Sequence, residues 1–264
     1  MKKERVRNVT VVIFVAAILI FQVYSGVFPP VTIVTSESMQ HSASWKPLVL
    51  NTGDIAIIKK VSGIGGIETY VLGRSSGFQS FGDYGNVIVY RAPDGILIIH
   101  RAMFYLQWVD GNPVVLGYDN QSWLEVTHSY VIIKNVGYSH RNLLVYIEQY
   151  RNESGFITCG DYNLASLNVS YNESVEAYAA ADQDGIFGFQ DPPVKISNVV
   201  GKVIGEIPWF GLIKLTILWK LGLQKQKNQV PHGAYLYLIT TISVGITVIF
   251  FPYRRLWMHF RGKR

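Results

Sequence analysis

The sequence predicts a mainly β domain outside the membrane, held by an N-terminal and a C-terminal transmembrane helix. Three observations predict it. Two long uncharged runs stand near the ends of the chain, at residues 9–28 and 234–251. Between them, short runs rich in Val, Ile and Tyr are separated by Gly, Pro, Asn and Asp, as strands are by turns. That middle stretch carries too few amphipathic helical periods for an alternating α/β sheet.

The first run, VTVVIFVAAILIFQVYSGVF, has Gln22 as its one strongly polar side chain, and Pro29 and Pro30 stop it. A helix of about 20 residues rises roughly 30 Å, the thickness of a bilayer core. The alternative is a cleaved signal peptide. The run is longer than the apolar segment of such peptides, and no small-x-small cleavage site precedes Pro29. The second run is closed by Pro252, with Tyr235, Tyr237, Tyr253 and Trp257 at interfacial positions. Its alternative is a buried core helix. Lys2, Lys3, Arg5 and Arg7 precede the first run; Arg254, Arg255, Arg261, Lys263 and Arg264 follow the second. Positive flanks stay inside, so both termini are expected in the cytoplasm. The expected parts are a basic tail and anchor at 1–30, an outer domain at 31–230, and a second span with a basic tail at 234–264.

Composition agrees. Of 264 residues 49% are hydrophobic and only 16% charged, and the apolar excess gathers towards the ends. Much of the net charge of +6 lies in the two flanks, so no basic footprint for nucleic acid is expected on the domain. The one cysteine, Cys159, forbids an intrachain disulfide, and no CxxC or Cys/His zinc pattern occurs. Cys159 reads as a lone thiol in a loop.

Within the middle, strands are expected at 31–34, 55–61, 87–91, 96–101, 113–116, 130–133, 143–147 and 199–204. Arg91-Ala-Pro-Asp-Gly95 reads as a hairpin turn. Two stretches read as insertions: 62–83, rich in Gly and Ser, and the polar stretch 151–193. The second holds glycosylation sequons at Asn152, Asn168 and Asn172; further matches stand at Asn120 and Asn8. The apolar segment 207–223, IPWFGLIKLTILWKLGL, reads either as an element of the membrane interface or as a core helix.

Candidate chemistry starts just beyond the first anchor, at Thr35-Ser-Glu-Ser-Met-Gln40. A serine hydroxyl needs a base that titrates near working pH, and histidine is such a base. His100 follows the apolar run 96–99 and is expected at a strand end. A carboxylate then orients the imidazole. Ser, His and Asp in this order make a chemically complete set, but one that many sequences offer.

The arrangement resembles the type I signal peptidases. That family carries, in order, a Ser-x-Ser-Met box, a Gly-Asp strand box, a short apolar strand, a Lys-Arg or His-Arg box and a Gly-Asp-x-Asn box. Here the matches are Ser36-Glu-Ser38-Met39, Gly53-Asp54, residues 87–90, His100-Arg101 and Gly117-Tyr118-Asp119-Asn120, with Gly201-Lys-Val-Ile204 and Ile207-Pro208-Trp209 further on. The likeness covers residues 9–135 and 198–215, and its force lies in the order of the boxes after the anchor.

Histidine at the base position marks the archaeal and endoplasmic-reticulum branch, and the two anchors lean archaeal. The resemblance implies a signal-peptidase-like β-rich domain and a membrane-bound serine endopeptidase. Its substrates would be signal peptides of preproteins emerging from the translocon, cut after small residues beside membrane lipid. Ser38 would attack, and His100 would act as base and then acid. The Ser38 N–H and the Ser36 hydroxyl would bind the oxyanion. No cofactor, metal or nucleic acid is implied.

For the acid, Tyr118 interrupts the last box. Asp119 is the preferred residue to orient His100, and Glu125 the alternative, with Asp119 then in support. His41 replaces a usual proline and is expected to face away from Ser38. Asp54 is expected to fix a turn, and Arg101 to pair with a carboxylate or support packing. The runner-up reading is a non-catalytic, membrane-anchored surface or assembly subunit, favoured by the irregular acid box.

Overall fold

A computed structural model describes residues 2–185, 191–223 and 229–251, with side chains from residue 8 onward. Pro252, His259 and the basic C-terminal flank lie outside the described residues.

The chain opens with α1 (Lys2–Ser25). Its segment Asn8–Ser25 is long and apolar enough to cross a membrane, the only such helix among the described residues, and almost none of it packs on the rest of the chain. Its end is tied to the domain. The Ser25 hydroxyl donates to the Ile58 carbonyl at 2.7 Å, and the Lys60 N–H to the Ser25 carbonyl at 2.8 Å.

The domain is β-rich, with three sheets. The largest contains β1 (Val31–Ile33), β2 (Ile55–Lys59), β5 (Val87–Arg91), β6 (Leu97–Val109), β7 (Asn112–Val115), β11 (Gly155–Cys159) and β14 (Val199–Ile207), all paired antiparallel. Its order is β1-β2-β14-β5-β6-β11, with β7 also on β6. β2 alternates half-buried and buried residues, as IAIIK predicts for a strand with one core face. The 91–95 turn closes the β5–β6 hairpin, with the Ala92 N–H donating to the Ile96 carbonyl at 2.9 Å.

β6 runs well past the expected end at 101. Residues 100–106 are all buried, with Phe104 and Leu106 in the largest core and Ala102 and Tyr105 in a second. A strand covered on both faces reads as a continuous apolar run without alternation.

The second sheet is β12 (Ser170–Asn172), β13 (Ala177–Ala179), β10 (Arg141–Tyr146), β9 (Tyr130–Val136) and β8 (Leu124–Val126), in that order, with β10 and β13 parallel. β3 (Gln79–Ser80) and β4 (Asp83–Tyr84) form a small hairpin after α2 (Tyr70–Ser76). Neither expected insertion is an appendage. Stretch 62–83 gives the main core Tyr70 and Val71. Stretch 151–193 supplies an edge strand of the main sheet, two strands of the second sheet and α3 (Asp161–Ala165).

β14 leads to α4 (Gly211–Lys220) and then α5 (Ala234–Phe250). α5 is apolar with 17 residues, fewer than the 18 of the first segment and at the lower end of the length a span needs. Its first turn packs Ala234 and Leu238 against Leu212 of α4.

Candidate active site

Ser38 lies in the loop between β1 and β2, and several bonds fix that loop. The Gly53 N–H donates to the Val34 carbonyl at 2.9 Å, and the Val34 N–H to the Asp54 carbonyl at 3.0 Å. Asp54 holds the turn, accepting from the N–H groups of Asn51 (2.9 Å) and Trp209 (3.0 Å). The Gln40 side-chain oxygen accepts the Thr52 N–H at 2.9 Å. Met39 anchors the loop in a core with Val87, Val89 and Val203. From the far side the Tyr162 N–H donates to the Ser38 carbonyl at 2.8 Å. A side-chain carbon on Gly160 would lie 2.6 Å from that carbonyl oxygen, so only glycine admits the approach.

His100 is buried within β6, opposite Ile88. Its Nε2 lies 2.9 Å from Ser38 Oγ, and its Nδ1 lies 2.8 Å from Asp182 Oδ2 and 2.9 Å from Oδ1. Asp182 is also buried, in a one-turn 3-10 helix (Asp182–Asp184). Its Oδ2 accepts from the hydroxyls of Thr158 (2.6 Å) and Tyr90 (2.7 Å). Burial, then the Asp182 charge, raises the Tyr90 hydroxyl well above its ordinary value, so it remains a donor. Gln183 pins this turn. Its side-chain oxygen accepts the Thr158 N–H at 2.9 Å, and its carbonyl accepts the Tyr150 hydroxyl at 2.5 Å. With Asp182 ionised, Nδ1 carries the imidazole proton and Nε2 is left to accept from Ser38. The arrangement can therefore draw a proton off a serine hydroxyl.

Ser36 Oγ lies 3.2 Å from Ser38 Oγ. The Ser38 N–H has no hydrogen-bond acceptor among the described residues. Both groups that the resemblance implies for an oxyanion thus stand at the Ser38 hydroxyl.

The two carboxylates expected to orient His100 do not meet it. Asp119 is exposed in the turn after β7, its N–H donating to Gln121 Oε1 at 2.7 Å. Glu125 is on β8 and accepts the Tyr130 hydroxyl at 3.3 Å. The reason is strand pairing. β7 turns back on the far half of β6, from Leu106 to Val109, and carries 117–126 away from the ring. β11 instead pairs Cys159 with Arg101 and Thr158 with Ala102, and Thr158 there binds Asp182 and Gln183, which seats the 182–184 turn at His100. A sequence signal for part of this existed: Gly160-Asp161-Tyr162-Asn163 reads Gly-Asp-x-Asn without interruption. Asp182 has no comparable local signature. Cys159 is not a loop thiol but a buried residue at the end of β11, where burial raises its thiol well above the ordinary value.

Behind the base, Arg101 is buried and paired with Asp161. Its Nε donates to Oδ1 at 2.8 Å and its Nη2 to Oδ2 at 2.7 Å. Its Nη1 donates to the carbonyls of Ser80, Tyr84 and Gly85 at 3.0–3.1 Å. His41 does turn from Ser38: its Nε2 lies 2.8 Å from Asp161 Oδ2, and its ring stacks on Tyr138 at 4.3 Å. Burial opposes ionisation of Asp161, but the charge and hydrogen bonds of Arg101 and the His41 bond outweigh it and hold the carboxyl at about 2. Burial, then the Asp161 charge, raises neighbouring Asp83 to about 6. Among the described residues no group of three or more His, Cys, Asp or Glu is placed to hold a metal ion.

No family model, curated protein or solved structure matches this chain. The functional reading therefore stands on the geometry and on the motif order.

Proposed function

We propose that this chain is a membrane-anchored serine endopeptidase that removes signal peptides from secreted preproteins. The observation that carries the proposal is the continuous set Ser38 Oγ, His100 Nε2, His100 Nδ1 and Asp182, with every link under 3 Å. In the proposed reaction Ser38 attacks the scissile carbonyl while His100 takes its proton. The tetrahedral oxyanion is held by the Ser38 N–H and the Ser36 hydroxyl. His100 then protonates the leaving amine, the acyl-enzyme forms, and water hydrolyses it by the same route. Asp182 keeps the ring in the productive tautomer and stabilises the imidazolium. No cofactor enters this scheme.

The substrate class follows from the resemblance to type I signal peptidases of the archaeal and reticulum branch. It also suits a nucleophile placed a short loop beyond an apolar helix, since a signal peptide is itself held in lipid. The proposed topology has α1 and α5 as two spans, both termini in the cytoplasm and the domain outside. The translocon is the proposed source of substrate. The non-catalytic alternative drew on the irregular acid box at 117–120, and loses that support once another carboxylate stands on the ring.

The test uses the full chain in detergent with a preprotein that ends its signal peptide in small residues. Cleavage is expected from the unaltered chain and not from Ser38→Ala or His100→Ala. Cleavage that survives both substitutions would overturn the assignment.

A further inference from the structure

Catalysis leaves one apolar surface unused. α4 buries Leu212 and Leu215 but turns Ile213 and Ile217 outward, 47% and 55% exposed. Leu221 and Leu223, just beyond its end, are 65% and 70% exposed. Before it, Ile207 and Phe210 continue the exposed apolar run. Apolar surface gathered in this way marks a contact, and scattered exposure does not explain it.

Contacts elsewhere in the fold fix where this surface lies. Thr216 Oγ1 is 3.0 Å from the hydroxyl of Tyr235, in the first turn of α5. Leu212 packs with Ala234 and Leu238 of that same turn. At its other end α4 presses on the start of the domain: a side-chain carbon on Gly211 would lie 2.6 Å from the Gly53 carbonyl and 2.9 Å from Ile33 of β1. β1 follows the end of α1 after five residues, 26–30. α4 therefore joins the start of α5 to the strand that follows α1. Its 10 residues span about 15 Å, half a bilayer core, too short to cross and suited to lying flat. Lys214 and Lys220 are exposed among these apolar residues. Their stems can lie along lipid while the ammonium groups reach the headgroups.

We infer that α4 and the residues just after it lie in the bilayer interface, with Ile213, Ile217, Leu221 and Leu223 at the boundary between headgroups and acyl chains. The occupant is lipid and not a folded partner, because the surface continues onto α5, whose apolar side chains are exposed along its length. The inference rests on α1 being a membrane anchor, as in the proposed function. It makes α4 a further point at which the domain rests on the membrane.

The experiment reconstitutes the full chain, alone, in vesicles of phosphatidylcholine with a minor share of phosphatidylglycerol. Cys159→Ser removes the one native thiol. Single substitutions Ile217→Cys, Ile13→Cys and Glu173→Cys then carry a nitroxide spin label on α4, on α1 and in the exposed turn between β12 and β13. Collision with oxygen, which concentrates in lipid, is compared with collision with a water-soluble nickel chelate. Labels at 217 and 13 are expected to favour oxygen, and the label at 173 nickel. A label at 217 that favours nickel while that at 13 favours oxygen would overturn the inference and leave the anchor standing. A label at 217 closed to both reagents would mean a second copy covers the surface, which also overturns it. If the label at 13 favours nickel, the anchor reading falls, and this inference with it.

Discussion

Asp182 reaches His100 from 82 residues further along the chain, and its carboxylate meets the ring Nδ1 at 2.8 Å. The link depends on β11 lying beside β6, because Thr158 of β11 binds both Asp182 and Gln183 and so holds the turn that follows β13 against the ring. Two hydroxyls, from Tyr90 on β5 and Thr158 on β11, share the same carboxylate oxygen. Three segments remote in sequence thus converge on one carboxylate.

Asp182→Asn keeps the shape of that carboxylate but offers the ring an amide. The imidazole then loses its tautomer preference, and the turnover rate is expected to fall by about 10⁴-fold. Asp119→Asn and Glu125→Gln are expected to leave the rate unchanged. Preprotein cleavage by the three variants side by side checks this. Loss with Asp119→Asn and retention with Asp182→Asn would reverse the roles.

Thr158→Val removes one of the two hydroxyl donors without changing the bulk of the side chain. The carboxylate, less satisfied, holds the imidazolium proton more strongly. The acid limb of the pH profile for kcat/KM is therefore expected to move to higher pH. Tyr90→Phe is expected to act in the same direction. A purely structural role for Thr158 would lower the amount of folded protein and leave the limb in place.

Asp161→Asn breaks a buried ion pair and strands the Arg101 guanidinium. Loss of one partner of such a pair typically costs about 3–5 kcal/mol. Denaturant unfolding in detergent is expected to show destabilisation of that order. Because the native carboxyl is depressed to about 2, its stabilisation is present above the ordinary carboxylate range and is lost as pH falls towards 2.

Three other acids act in the opposite sense. Burial raises Asp83 to about 6, Asp184 to about 7 and Glu206 to about 7, each with a neighbouring carboxylate adding to the rise. Between the ordinary carboxylate range and pH 7 the folded chain binds more protons than the unfolded one, so stability falls as pH rises through that window. The unfolding temperature is expected to be higher at pH 5 than at pH 8. Glu206→Gln is expected to narrow the difference; an unfolding temperature that rises from pH 5 to pH 8 would contradict the assignment.

Much of the framework is legible in the sequence where the signal is local. The strands at 55–59 and 87–91 follow their apolar patterns, and the turn at 91–95 follows Pro and Gly chemistry. Ser38 and His100 stand out because boxes of fixed order follow the first apolar run. The stretch 151–193 misleads because it is polar, and only the five residues GFITC announce a strand. Their partner, β6, lies 49 residues upstream for the pair Gly155–Leu106 at one end and 58 for Cys159–Arg101 at the other, and nothing local encodes that choice. The carboxylate beside His100 is hidden in the sequence for the same reason: which one meets the ring is decided by strand order, not by distance along the chain. The segment 207–223 supported two readings, and α4 carries features of both, with one buried side and one apolar side left open.

The glycine that lets the chain at 160 touch the Ser38 carbonyl has an engineering corollary. Whoever wishes to trim this molecule to its smallest working form would be tempted to excise the wordy polar stretch before β14. That cut would remove the brace behind Ser38 together with the carboxylate on His100, so on the proposed reading the shortest active version must retain nearly the whole outer domain.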